Sequence, residues 1–453
     1  MDALLEEEDV SATEESSSAV DKERPHVEAA LGLTEKWDAR EAGREVAETA
    51  LQQLSGKPDF FLLFSTIHYE NHGGFEEFLN GVWEVLPEGT PLVGGTVAGF
   101  MNNHGVFVQG ATALAVSYPH MDVAIGYGRN TKRNPKKAAK QCAEMIKKEL
   151  VNSPYKNNFL LNFVSSAELM KIPGQGYKKV IDSGFMSKFV TLVFGLSQYL
   201  IQKGPGREDE IFEELIHYFP SHNMILGTSV DDYKGRNNYI FNNNFLLKNS
   251  LSSLGLQTNL DVTVKSTHGM NKTNVEFNIT KISKDGHIIK EINNKPAVPE
   301  LLRILEWPED FLNEKTMFFR MLYYPISVKR GNRQIPVVMP FILKDSIVTP
   351  CVVEKGKVSI LTVSGINLLD ALQKNIEYFD GTIPEFGFFS TCGTILQTLG
   401  NKINLIRMKL LEYFKDKPFI MVFCAGEGTY SPTQGINYAN MSYNTVIFRQ
   451  NKK

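Results

Sequence analysis

The sequence predicts a mixed α/β (α+β) fold, with mixed parallel and antiparallel sheets flanked by helices, and three observations predict it. Short continuous apolar runs such as Phe60–Ser65, Phe159–Ser165 and Phe386–Thr391 read as strands covered on both faces. Segments with apolar residues at helical spacing alternate with them. The same order of elements then comes round three times. Each round contains an apolar strand that runs into small residues: Leu92-Val93-Gly94-Gly95-Thr96-Val97-Ala98-Gly99, Ile225-Leu226-Gly227-Thr228-Ser229-Val230-Asp231-Asp232 and Ile420-Met421-Val422-Phe423-Cys424-Ala425-Gly426-Glu427-Gly428.

Residues 1–27 are rich in Glu, Asp and Ser and lack aromatics, so they bury too little apolar surface to offset the entropy of ordering and are expected to form a disordered acidic tail. Asp38 is placed to cap a helix whose Ala42, Val46, Ala50, Leu51 and Leu54 share one face. A helix over about Gly74–Leu86 links the strand Phe60–Ser65 to Leu92–Val97. A crossover of that length implies parallel pairing. The closely spaced strands Gly105–Tyr118 and Met121–Gly128 then favour antiparallel neighbours.

The second round starts at Asn134-Pro135, a cap followed by proline at the first helical position. Its helix runs to about Leu150. An insertion of apolar helices, Gly184–Gln202 and Glu208–Phe219, separates the strand at Phe159 from that at Met224–Val230, and strands at Tyr239–Leu247 and Leu260–Gly269 complete the round. From about Val275 the plan changes to strands around Met317–Val328, Ile335–Leu343 and Lys357–Val363 with a short helix near Glu300–Glu306. A third round closes the chain with helices at Ile366–Phe379 and Asn401–Phe414 and strands at Phe386–Thr391, Phe419–Ala425 and Tyr443–Arg449. The domain organisation expected is a tail over 1–27, an N-terminal domain of two similar passes over 28–270 (28–130 and 131–270), and a C-terminal domain over 271–453.

The chain has 453 residues, 42% hydrophobic and 22% charged, enough for two or three cores, and a formal net charge of -3. That charge gives no argument for nucleic acid or an anionic membrane. Cys142, Cys351, Cys392 and Cys424 show no metal-ligand spacing and read as buried free thiols of a reducing compartment, and no secretory segment is visible, so a cytoplasmic location is expected. No membrane insertion is expected, because the apolar stretch Phe189–Ile201 is about half the ~20 residues a spanning helix needs. Nucleophile-elbow, phosphate-loop, zinc-protease and dinucleotide motifs are missing, so the protein is not expected to be an enzyme.

Several residues are candidates for chemistry. Gly426-Glu427-Gly428 places a carboxylate in a glycine turn after a buried strand, where it could meet a ligand's amine or simply be a solvated turn residue. Cys392 and Cys424 lie on or after strands that could be neighbours and could line one pocket; two structural thiols are the plainer reading. Asn440, with Ser442 and Asn444, could bind a carboxylate or satisfy its own backbone. Gly94, Gly95 and Thr96 offer backbone N–H groups and a hydroxyl suited to an anion, and equally could just allow close packing. His68 and His72 have no evident third metal ligand.

Together these segments resemble the FIST N and FIST C domains, a paired sensory module of bacterial and archaeal signalling proteins and of eukaryotic F-box proteins. The resemblance covers about Ala30–Phe448. It is carried by Ala42–Leu54, Pro58–Ser65 and above all Leu92–Gly99 in the first half, and by Ile292-Asn293-Asn294-Lys295-Pro296-Ala297, Ser390-Thr391-Cys392 and Gly426-Glu427 followed by Asn440 in the second. Two departures stand out: Thr394-Ile395 follows Cys392 where the family often has an arginine, and Tyr438-Ala439 precedes Asn440 where it often has a histidine.

The resemblance implies a cytoplasmic sensor of a small molecule such as an amino acid, signalling through a separate partner protein. Gly94, Gly95, Thr96, Cys392, Gly426, Glu427 and Asn440 would be its ligand-binding residues. It implies no obligatory cofactor, although some bacterial members use haem, for which His68, His72, His104, His268 or a cysteine would have to serve as axial ligand. An interaction scaffold without a ligand is the alternative.

Overall fold

The computed structural model describes residues 26–172, 174, 176–330, 333–379, 381 and 383–450. The expected acidic tail lies almost wholly outside the described residues. The first round comprises β1 (Glu28–Thr34), α1 (Ala39–Leu51), β2 (Phe60–Ser65), α2 (Phe75–Trp83), β3 (Leu92–Thr96), a hairpin of β4 (Phe100–Asn102) and β5 (Val106–Phe107), and β6 (Ala111–Ser117). The second comprises β7 (Met121–Arg129), α3 (Pro135–Leu150), β8 (Asn157–Ser165), an insertion carrying β9 (Val180–Ile181) and α4 (Gly184–Leu200), then α5 (Glu208–Tyr218), β10 (Asn223–Ser229), a hairpin of β11 (Ile240–Asn242) and β12 (Phe245–Leu247), and β13 (Ser250–Thr258).

After β14 (Asp261–His268) the chain makes a separate mixed sheet from β15 (Met270–Ile282), β16 (Ile288–Ile292), β17 (Lys295–Pro296), β18 (Ile326–Arg330), β19 (Arg333–Val337), β20 (Phe341–Leu343), β21 (Ser346–Val348) and β22 (Gly356–Val363). Helices α6 (Ala297–Ile304) and α7 (Met317–Tyr323) interrupt those strands. The third round resumes with α8 (Gly365–Glu377), β23 (Phe386–Cys392), α9 (Gly393–Leu399), α10 (Ile403–Phe414), β24 (Phe419–Cys424), a hairpin of β25 (Glu427–Ser431) and β26 (Gly435–Tyr438), and β27 (Ser442–Arg449).

The three rounds make three six-stranded sheets with one strand order: β1-β6-β2-β3-β11-β12, β7-β13-β8-β10-β25-β26 and β14-β27-β23-β24-β4-β5. In each, the two central strands β2/β3, β8/β10 and β23/β24 are parallel and the rest antiparallel. The outer hairpin of every sheet comes from a different round. A buried pair recurs with it: Asn102 Nδ2 donates to Thr112 Oγ1 (3.1 Å) and Asn242 Nδ2 to Ser252 Oγ (2.8 Å).

The inner faces of the three sheets meet in one core around Phe64, Phe163 and Phe388, with ring centroids 5.2 and 5.5 Å from Phe64. Helices cover the outer faces: α1 and α2 on the first sheet, α3 and α5 on the second, α8 and α10 on the third. This double covering is why β2, β23 and β24 are apolar and buried along their whole length.

Several local expectations fail. Gly105–Tyr118 and Ile335–Leu343, each expected as one strand, are divided into β5 and β6 and into β19 and β20, and Leu260–Gly269, expected to complete the second round, is β14 of the third sheet, while β13 completes the second. Met317–Tyr323, expected as strand, is helix α7, since a short apolar run fits either state and here Met317 and Met321 bury one helical turn apart. Tyr239–Leu247, expected as one strand, folds back at Asn243, whose φ of 51° makes the β11–β12 hairpin. Among the described residues no helix is long and apolar enough to cross a membrane.

Candidate functional site

The strands β3, β10 and β24 are connected to one another at their C-terminal ends. The Val230 N–H donates to the Thr96 carbonyl (2.9 Å), Ala98 N–H to the Phe423 carbonyl (3.0 Å), and Gly426 N–H to Thr228 Oγ1 (2.7 Å). Ligands of parallel sheets bind beyond such strand ends. Beside this junction lies a cavity of about 190 Å³. Its floor is Ser166, Val230, Cys392, Cys424 and Ala425, from the ends of four strands. Val190 and Ser197 of α4 and Phe341, Leu343 and Val348 of the mixed sheet form the other walls.

The polar groups of the lining are held by the protein. The Asp231 carboxylate accepts the N–H groups of Gly235 (2.9 Å) and Arg236 (2.7 Å), which fixes the loop carrying Tyr233. Lys179 Nζ donates to the Tyr233 carbonyl (2.8 Å). Glu168 pairs with Lys203 and accepts from Asn238 Nδ2 (3.2 Å). Cys392 Sγ lies 2.9 Å from Thr394 Oγ1, and the Ser390 hydroxyl donates to Cys424 Sγ (3.6 Å). Burial raises both thiols, Cys424 to about 12, so neither is a thiolate at neutral pH. Burial also raises the Tyr233 phenol, and the nearby Cys392, Cys424 and Glu427 add to it.

Glu427 sits just behind this wall and is fully buried. It opposes Gly227 across β10–β25, as Ile240 opposes Gly95 across β3–β11, so a carboxyl occupies a position that an aliphatic side chain fills in the first sheet. Its Oε1 accepts from the Ser442 hydroxyl (3.3 Å) and N–H (3.4 Å). Burial pushes its pKa well above the usual carboxylate range, against the hydrogen bonds from Ser442 and Cys392. Burial thus favours the protonated form of Glu427, which can donate as well as accept.

A second carboxyl lies close by. Glu208, at the start of α5, accepts from the Tyr438 hydroxyl (3.2 Å) and is pushed up to about 7 by burial and by the neighbouring Asp209. Gly426 passes between these groups: a Cβ there would fall 2.7 Å from Glu208 Oε1 and 3.0 Å from the Tyr438 oxygen.

Of the expected ligand-binding residues, the structure brings only Cys392 to the cavity, with Cys424 on the adjacent strand in register; Gly426 and Glu427 follow the lining residue Ala425 and do not themselves line the cavity. Gly94, Gly95 and Thr96 lie inside the first sheet. A Cβ on Gly94 would fall 1.7 Å from the Leu63 carbonyl oxygen, one on Gly95 would fall 2.5 Å from that of Tyr239, and Thr96 Oγ1 accepts the Tyr239 N–H (3.0 Å). Asn440 Oδ1 accepts the Val338 N–H (3.1 Å) and its own N–H donates to the Pro336 carbonyl, so it ties the mixed sheet to the last strand. Sequence reasoning missed Glu168, Lys179, Glu208 and Tyr233; only Tyr233 had a signal, as the ring next to Asp231-Asp232 after a strand of the repeated type.

A wider groove of about 400 Å³, bordered by His268, Asn271, Asn367 and Asn437, contains none of the expected ligand-binding residues; of the candidate haem ligands it has His268 alone. Among the described residues no three His, Cys, Asp or Glu side chains are grouped to hold a metal ion. Among those residues no histidine lines the cavity, so its only axial donors for haem would be the buried Cys392 and Cys424 thiols.

The class the fold defines is a mixed α/β assembly whose sheets complete one another across rounds. The sequence profile of the FIST N domain matches residues 59–295, just over half of the chain, and the protein belongs to that family. No curated protein matches the chain.

Proposed function

We propose that the protein is a small-ligand sensor without catalytic activity of its own, taking its ligand in the cavity at the ends of β8, β10, β23 and β24. Residues 271–453 then act as the FIST C half of the module. The observation that carries this reading is the cavity of about 190 Å³, with room for on the order of ten water molecules, lined by the Cys392–Cys424 pair at the ends of the parallel strands. Its largely apolar walls and few hydroxyl, thiol and carboxyl groups suit a compact metabolite with an apolar body and one or two polar groups, such as an apolar amino acid. The output passes to a separate protein in the cytoplasm. Four buried free cysteines support that compartment.

The test is a thermal-shift screen of the full chain with amino acids and related metabolites, run in parallel on Ala425→Phe, whose ring would occupy the cavity. A ligand at a hundred times its Kd stabilises by about 2.7 kcal/mol, an upward shift that the variant should lose. If no compound moves the wild-type transition, the sensor reading fails.

A further inference from the structure

Helix α4 presents two different faces. Met186 and Val190 pack inward on Ile181, Leu343 and Val348, and Ser197 is buried over the cavity. Outward, Phe185, Phe189, Leu192, Leu196 and Tyr199 stand in one row, with Phe185 79% and Leu192 81% exposed and the others between 40% and 60%. Their spacing of four, three, four and three residues is the seam of a helix that packs along another helix. Leu200, 56% exposed, flanks the row. These six side chains present on the order of 700 Å² of surface. That exceeds the patch a monomer usually tolerates and approaches one partner's share of a standard interface.

We propose that this face of α4 pairs with the same face of a second copy of the chain. The row is nearly palindromic about Leu192: Phe185 and Tyr199 lie seven residues to either side, and Phe189 and Leu196 lie three and four away. An antiparallel two-fold contact therefore sets Leu192 against Leu192, and Phe185 of one copy against Tyr199 of the other, the self-complementarity an isologous interface requires.

Lys188 is the one charged residue of α4. Among the described residues, the only charge that reaches the seam is the Arg133 guanidinium, 5.3 Å from the Tyr199 ring centroid at one end, so the middle of the row is uncharged and the helix lacks the row of basic residues that flanks a helix lying on lipid. The helix is also a fixed platform. Ser183 caps its start, accepting the Met186 N–H, and the Arg133 guanidinium donates to the carbonyls of Tyr199 (2.6 Å) and Leu200 (3.1 Å) at its end. The inference does not depend on the ligand reading, because it concerns the face of α4 turned away from the cavity.

Light scattering and sedimentation on the full chain test it. Wild type should form a concentration-dependent dimer, and Leu192→Glu with Leu196→Glu should weaken association at least tenfold while leaving the melting temperature unchanged. Leu192→Cys should yield a disulfide-linked dimer on mild oxidation, whereas Val108→Cys, exposed elsewhere, should not. If the double variant does not fold, the crosslink decides. A wild type that stays monomeric at every concentration, a double variant that still dimerises, or a stripe that instead binds lipid vesicles overturns the proposal.

Discussion

Replacing Glu208 with Gln should make the protein more stable, by an amount that grows with pH. The folded carboxyl titrates at about 7 against its ordinary 4.5, chiefly because burial strips it of water and Asp209 lies beside it, with Lys132 pulling the other way. As pH rises from about 4.5 the unfolded chain gives up this proton first, so stability falls through the window from about 4.5 to 7 and then levels off. The drop totals about 3 kcal/mol. Gln cannot ionise yet keeps an oxygen for the Tyr438 hydroxyl. The variant should therefore exceed wild type by under about 1 kcal/mol at pH 5 and by about 3 kcal/mol at pH 8. Urea unfolding followed by tryptophan fluorescence at pH 5, 6.5 and 8 gives the comparison. A difference that does not change with pH would refute the reasoning and mean that Lys132, itself lowered to about 8 by burial, fully neutralises the carboxylate.

Two further substitutions, with Gly56→Ala as a control, probe the residues that the sequence pattern singled out. Gly94→Ala drives a methyl into the Leu63 carbonyl and should cost about 3 kcal/mol or more, seen as lost soluble yield. Gly56→Ala, with nothing within 4 Å of the new methyl, should change the melting temperature by less than the ~0.5 kcal/mol equivalent typical of surface sites. Asn440→Ala removes the acceptor for the Val338 N–H and should lower stability by about 1–3 kcal/mol in the same unfolding assay.

The strands were legible where burial on both faces writes itself as an unbroken apolar run, as in β2, β8, β23 and β24. The helices α1, α3 and α8 were legible from caps and periodicity. What stayed hidden was decided between distant parts of the chain. The hairpin strands β4, β11 and β12 have three residues each, too short for an alternation pattern, and their partners lie in another round. The glycines of Leu92–Gly99 drew notice as a ligand turn, whereas their role is to let β2 and the start of β11 approach β3. Glu427 was found from its turn, but the upward shift of its carboxyl comes from burial in the surrounding core, against the hydrogen bonds from Ser442 and Cys392. The cavity's Glu168 and Lys179 belong to an insertion whose packing has no sequence signature.

The exchange of hairpins among the three sheets has a consequence for biosynthesis. Phe419 N–H bonds to Asn103 Oδ1 across 316 residues, beside the place where β4 joins β24, and β25 completes a sheet begun at β7. Of the three six-stranded sheets, the first can close once β12 has emerged, but the other two cannot close until β25–β27 (residues 427–449) have left the ribosome. Each nascent sheet waits with an open edge, which makes folding slow and exposed to edge-to-edge aggregation. A chain cut short near its end would lose strands from two sheets at once, so late premature stops should behave as null alleles rather than as shortened, partly active proteins.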